Sequence, residues 1–150
     1  MAVVIDAHSR RVIGWAMAEH MRADLVEDAL RMAITLRESK PDTVVFHTDR
    51  GTQYASKQMT KFATKNGVTR SMGYTGVCWD NAMAESFFAT LKTEFYYRRV
   101  WPTRARAKRD VGTWIEDCYN RRRRHSSLGQ VTPVAFEMQY SNTTAELKAA

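Results

Sequence analysis

Apolar and polar positions along this 150-residue chain follow two periods, and each change of period marks an element. Ala2 to Ala7 is a short run rich in β-branched residues. His8-Ser9-Arg10 reads as a turn, and Val12 to Met17 as the hairpin partner. From Ala23 to Glu38 the period becomes helical: Leu25, Ala29, Met32, Ala33 and Leu36 share one stripe, with acids clustered early. Pro41 ends that helix. Thr43 to His47 reads as a buried-type strand that delivers Asp49 to its C-terminal end, and Asp49-Arg50-Gly51 as a tight turn.

A second helix is predicted over 55–66, closed by Asn66-Gly67, then a strand from Val68 to Met72. Gly73 to Trp79 is expected to be a mobile loop. A helix follows from about Asn81 to Tyr96, capped by Asp80 or Asn81. Pro102 interrupts the chain, and Thr103 to about Arg121 reads as a last long helix. Strands alternating with helices predict an α/β layer fold, without repeats or low-complexity linkers. Residues 1–100 are expected to be a catalytic core, and 101–150 a basic helical extension of the same domain.

Composition narrows the function classes. An apolar fraction of 44% and a charged fraction of 26% suit a soluble globular domain. No apolar run approaches the ~20 residues that span a bilayer, and no signal peptide is read at Met1. Cys78 and Cys118 read as free thiols in a reducing cytoplasm, with no zinc-type spacing. The net charge of +7 is concentrated: residues 98–124 hold ten Lys or Arg against three acids. Such a block predicts a polyanionic partner, most simply nucleic acid. Trp101, Trp114 and Tyr119 interleave the charges and read as stacking surfaces.

Two motifs carry candidate chemistry. His47-Thr48-Asp49-Arg50-Gly51 places a carboxylate at a strand end, where open α/β sheets hold ligands. Asp80-Asn81-Ala82-Met83-Ala84-Glu85-Ser86-Phe87-Phe88 places another on a helix, with 35 residues between the two acids. Two carboxylates so placed can share divalent ions for phosphodiester displacement. Lys92 lies two helical turns beyond Glu85, suited to a phosphate, while Phe88, Leu91 and Phe95 mark an adjoining apolar stripe. His47 is expected to be structural. The third block is Tyr119-Asn120-Arg121-Arg122-Arg123-Arg124-His125-Ser126-Ser127-Leu128-Gly129, then Thr132-Pro133. Four consecutive arginines cannot share one helix face, so some must reach solvent or a phosphate backbone.

Together HTDRGTQYAS, the spacing to Glu85, DNAMAESFFATLK and YNRRRRHSSLG resemble the insertion-sequence transposases whose catalytic core is shared with retroviral integrases. The resemblance runs from Ala2 to about Tyr140. It implies a ribonuclease-H-like α/β fold, a mixed sheet with flanking helices, and a DDE acid triad binding two Mg2+ or Mn2+ ions. It implies 3′-end cleavage and strand transfer between element ends and target DNA. Carried over, Asp49 and Glu85 are the second and third acids and metal ligands, and Lys92 approaches the DNA end. Arg121, Arg122, Arg123, Arg124 and His125 are expected to contact DNA.

In that family the first acid lies on a strand upstream of the hairpin that begins here at Ala2. The expectation is therefore a core lacking its first strand and inactive alone, with Asp6 serving the hairpin turn rather than catalysis. The alternative is a non-catalytic DNA-binding fragment that modulates full-length transposase by mixed oligomerisation. A ribonuclease-H-type nuclease is a third reading, against which the arginine-rich tail argues. The expected location is the bacterial cytoplasm, on the nucleoid.

Overall fold

The computed structural model describes residues 1–37, 44–48, 51–72 and 82–149, with side chains described as far as residue 142. The chain forms two compact units. The first comprises Met1–Ile5 and Ile13–Ala89, the second Asp6–Val12 and Thr90–Ala150.

In the first unit, β1 (Ala2–Ile5) pairs with β2 (Val12–Ala16), and α1 (Ala23–Arg37) packs on them. The core is the apolar side of that layer: Ala2, Val4 and Ile13 from the strands, with Leu25, Val26, Ala29, Leu30 and Ala33 from α1. The helical stripe read from sequence is rotated. Val26 and Leu30 are buried, whereas Leu36 is exposed. The approach of sheet and helix is set by Gly14 on β2. A Cβ there would lie 2.1 Å from the Ala29 carbonyl oxygen and 2.9 Å from the Ala33 nitrogen. Only glycine permits that contact, because both obstacles are backbone.

The second layer of this unit is β3 (Val45–Thr48), α2 (Lys57–Lys65) and β4 (Thr69–Met72). β3 and β4 run parallel, with Val45 opposite Thr69 and Thr48 opposite Met72. The helix crossover between them is what parallel pairing requires. Ser56 caps α2 by accepting from the Met59 amide at 3.2 Å, and Met59, Phe62 and Ala63 face inward. Among the described residues the strands form two two-stranded sheets, where the sequence predicts one mixed sheet. β3 is also not the buried strand expected: Val44 and Val45 are exposed, as is His47, and Thr48 alone is buried. The β-branched run reflects strand propensity rather than two-sided burial. His47, expected to be structural, is thus a surface side chain.

α3 (Ala82–Thr90) buries Phe87, with Phe88 half-buried. Its continuation, Leu91–Phe95, widens into π-helical turns with Leu91 and Phe95 inward.

The second unit is organised by aromatic side chains. After a 3-10 turn at Tyr96–Arg98, α4 (Arg104–Thr113) is capped by the Thr103 hydroxyl and runs into π-helical turns over Trp114–Asn120. Phe95 stacks on Trp114 at 5.6 Å, and Trp114 packs on Tyr119 at 5.9 Å. Trp114 and Tyr119 are buried, so the reading of these two as nucleic-acid stacking surfaces is overturned. Val111, Trp114, Ile115 and Tyr119 make an inward stripe at helical spacing, and the interleaved charges occupy the other side. A further helix, α5 (Pro133–Ala149), follows. It has the buried Pro133 at its first position and Thr132 as cap, accepting from the Ala135 amide at 3.2 Å.

Candidate functional site

Glu85 sits in the first turn of α3, exposed to solvent and without an ion pair among the described residues. It borders a cleft of about 240 Å³ within the first unit. The floor is apolar, from Ala2 and Val3 of β1, Leu25 and Val26 of α1, and Phe88 of α3. The polar rim is Glu85, Arg22, Gln53 and Tyr54. Over that apolar floor, the guanidinium and the amide of the rim can take a phosphate through charge and hydrogen bonds, and the carboxylate beside them can take a cation.

The loop carrying Gln53 and Tyr54 is held on both sides. The Tyr54 amide donates to the Gly51 carbonyl at 2.9 Å. Arg70 of β4 donates to the Tyr54 carbonyl and to the Thr60 hydroxyl. Arg22 carries no sequence signal of its own. Gln53 and Tyr54 belong to the HTDRGTQYAS motif, yet the reading centred on Asp49.

Asp49 lies outside the described residues, as do Asp80, Asn81 and residues 73–79, which the sequence predicts to be a loop. Thr48, which precedes Asp49 in the chain and ends β3, is buried, and its hydroxyl has no hydrogen-bond partner among the described residues. Among the described residues no three His, Cys, Asp or Glu side chains converge as a metal centre. The donor chemistry still suits a hard cation: Glu85 offers two carboxylate oxygens uncommitted to any described cation, and Mg2+ and Mn2+ favour oxygen ligands.

Asp6 is committed elsewhere. In the second unit its Oδ1 accepts from the His8 and Ser9 amides, both at 2.9 Å, which makes it the organiser of the turn, as its position predicts.

The second unit carries the other predicted residues. Lys92 is exposed on the π-helical segment. Arg121, Arg122 and Arg124 are exposed, whereas Arg123 is half-buried and paired with Glu94 at 3.2 Å. The four arginines therefore divide into three that reach solvent and one that braces the fold. His125 is half-buried, edge-on to Tyr119 at 5.0 Å, and its Nε2 is enclosed without a hydrogen-bond partner among the described residues. Burial, reinforced by Arg123 and Arg10, lowers its pKa from the ordinary 6.5, and Glu94 opposes them. The imidazole is thus neutral at neutral pH. Burial likewise raises the Tyr119 pKa against the pull of Arg123 and Arg10.

Asn120, beside Tyr119 in the same motif, is wholly buried. Its Oδ1 accepts from the Val12 amide and its Nδ2 donates to the Val12 carbonyl, each at 2.9 Å. The turn is clamped further along by Ser9 and Arg11, both 2.7 Å from the Glu137 carboxylate.

Two models of the integrase core domain match this chain, one over residues 1–78 and one over 66–133. The chain belongs to the integrase core domain family, and its mixed α/β fold is that of a ribonuclease-H-like integrase core. It is similar to the transposase InsF for insertion sequence IS3fB of Escherichia coli, 44% identical over 139 residues, which are 93% of this chain and 48% of that protein. The transposase InsF for insertion sequence IS3A of the same organism is 44% identical over 91% of this chain and 47% of its own length. The transposase for insertion sequence element IS904 of Lactococcus lactis is 39% identical over 91% of this chain and 54% of its own. The chain spans about half the length of the curated relatives it matches.

Proposed function

We propose that this chain supplies two of the acids and part of the DNA-binding surface of a transposase acting by metal-dependent phosphoryl transfer, cleaving 3′ ends of an element and joining them to target DNA. The observation that carries this is the Glu85 carboxylate: exposed, without an ion pair among the described residues, and bordering a cleft in an integrase core domain. Asp49 is its partner acid, by its place directly after β3. These two residues would hold Mg2+ or Mn2+. When bound, such ions activate an attacking oxygen and stabilise a leaving oxygen.

The remaining roles belong to side chains. Arg22 on the cleft rim attracts a phosphate, and Lys92, Arg121, Arg122 and Arg124 neutralise the backbone of the DNA. Arg123 and His125 act from within the fold, one through its Glu94 pair and the other through its Tyr119 contact. The partners are element ends and target DNA, with a second copy or full-length transposase in the working assembly. No described helix is long and apolar enough to cross a membrane, and we place the protein on the nucleoid.

A second reading, DNA binding without chemistry, is favoured by the three solvent-reaching arginines. One titration separates the two. Binding to branched DNA is measured by anisotropy with and without Mn2+, for the native chain and for Asp49→Asn and Glu85→Gln. The proposal expects an Mn2+-dependent gain in affinity that both substitutions abolish, over a salt-sensitive background that they leave intact. Affinity indifferent to Mn2+ in all three proteins would leave the binding-only reading.

A further inference from the structure

Residues 96–101 of the second unit, Tyr-Tyr-Arg-Arg-Val-Trp, are not used by the proposed chemistry. Tyr97 is 71% exposed and Val100 95% exposed. Single exposed apolar side chains are ordinary. These are distinguished by the rigidity of the loop that holds them out. Trp101 stacks on Tyr96 at 5.5 Å and 22°, and its indole N–H donates to the Tyr96 carbonyl at 3.0 Å. Trp101 also meets Phe95 at 5.5 Å, and Phe95 stacks on the buried Trp114. The stacked rings thus fix a loop from which Tyr97 and Val100 project into water.

The charge left over beside this loop is positive. Arg98 is anchored through Nε to the Thr93 carbonyl at 2.8 Å, and Arg99 lies over the Phe95 ring at 4.5 Å. Lys108 and Arg109 follow on α4, where Arg106 is neutralised by Asp110 at 2.8 Å. The nearest acid before the loop, Glu94, is already paired with Arg123. A protruding aromatic and a protruding β-branched residue, fixed between cations, complement a ligand with flat apolar faces strung on a polyanion.

We infer that Tyr97 and Val100 form a contact site for unpaired bases of DNA, with Tyr97 stacking on a base while Arg98 and Arg99 hold the flanking phosphates. The inference rests on the DNA-binding reading above and extends it to a preference for single-stranded or frayed DNA. Base–aromatic stacking tolerates any sequence, because every base has a π-face. The loop therefore senses whether a strand is paired, not what it spells.

The test compares anisotropy titrations with a blunt duplex, the same duplex bearing an unpaired tail, and that tail made abasic. The native chain is expected to prefer the tailed duplex over both others. Tyr97→Ala should erase about 5–150-fold of that preference, the range that one base stack supports, and Val100→Ser, which keeps the charge, should erase part of it, with blunt-duplex affinity unchanged in both. Tyr97→Phe should retain the preference. Both sites are exposed, so unchanged circular dichroism is expected. Equal binding of abasic and normal tails, or a preference indifferent to both substitutions, would overturn the inference. So would loss of self-association in sedimentation with tail preference intact, which would make the loop a protein interface. Failure of the native chain to bind any of the three DNAs would overturn the proposed function itself.

Discussion

Asn120→Ala is expected to be among the most damaging single changes in the second unit. The Asn120 side chain is fully buried and satisfies both backbone groups of Val12, itself 0% exposed, at 2.9 Å each. Alanine leaves an amide and a carbonyl enclosed without partners. Each such orphan costs about 1–3 kcal/mol, so the pair amounts to about 2–6 kcal/mol. That is a large share of the ~5–15 kcal/mol that holds a domain folded. Asn120→Asp is a sharper probe, because it keeps the acceptor for the Val12 amide but loses the donor to the Val12 carbonyl. It also sets a carboxylate near the Glu116 carboxylate, which now lies 3.5 Å from the Asn120 amide nitrogen. Urea denaturation followed by tryptophan fluorescence measures both, with the midpoint falling and the slope unchanged. A loss below about 1 kcal/mol for alanine would refute the reasoning, since it would mean that water serves Val12 as well as Asn120 does.

Four further outcomes follow from the same contacts. Gly14→Ala should destabilise by about 1–3 kcal/mol or more, because a Cβ 2.1 Å from the Ala29 oxygen forces sheet and helix apart; thermal denaturation would show it. Glu85→Gln should leave the melting temperature unchanged, consistent with an exposed, unpaired carboxylate and a shift within about 0.5 kcal/mol. Replacing Arg121, Arg122 and Arg124 by alanine should flatten the slope of log affinity against log salt by about 2–3, read from duplex titrations. For His125 the folded pKa lies below the unfolded 6.5, so the unfolded state binds more protons in mildly acidic solution. Stability should therefore fall as pH drops below about 6.5, and His125→Gln should flatten that decline in urea midpoints taken from pH 7.5 to 5.

Sequence periodicity located the described strands and α1 to α4 to within a few residues, since each alternates strongly between apolar and polar positions. α5 was not anticipated, because Pro133 to Ala149 mixes Phe136 and Met138 with Gln, Ser, Asn and Thr and offers no continuous apolar face. The misreading of Trp114 and Tyr119 came from weighing their charged neighbours above their own spacing. With Val111 and Ile115 they repeat at helical intervals, a pattern of burial rather than display. The YN-arginine block was legible as a unit but not by role. Asn120 and Arg123 turn inward to fasten the fold, while Arg121, Arg122 and Arg124 turn outward, a division that only tertiary contacts decide. At the cleft, the sequence motif singles out Glu85, whose place on the rim leaves its role a proposal. Arg22 was not legible, because it reaches the rim from the residues preceding α1, far from the acids in sequence.

The central claim, that Asp49 and Glu85 jointly hold a divalent cation, is tested most directly by titrating Mn2+ into the folded chain and counting bound ions by electron paramagnetic resonance. Binding in the native chain, weakened by at least about tenfold in Asp49→Asn and in Glu85→Gln alike, is the expected result, since even an outer-shell partner of a metal ligand is worth that much. Mn2+ binding unchanged by either substitution would contradict the claim.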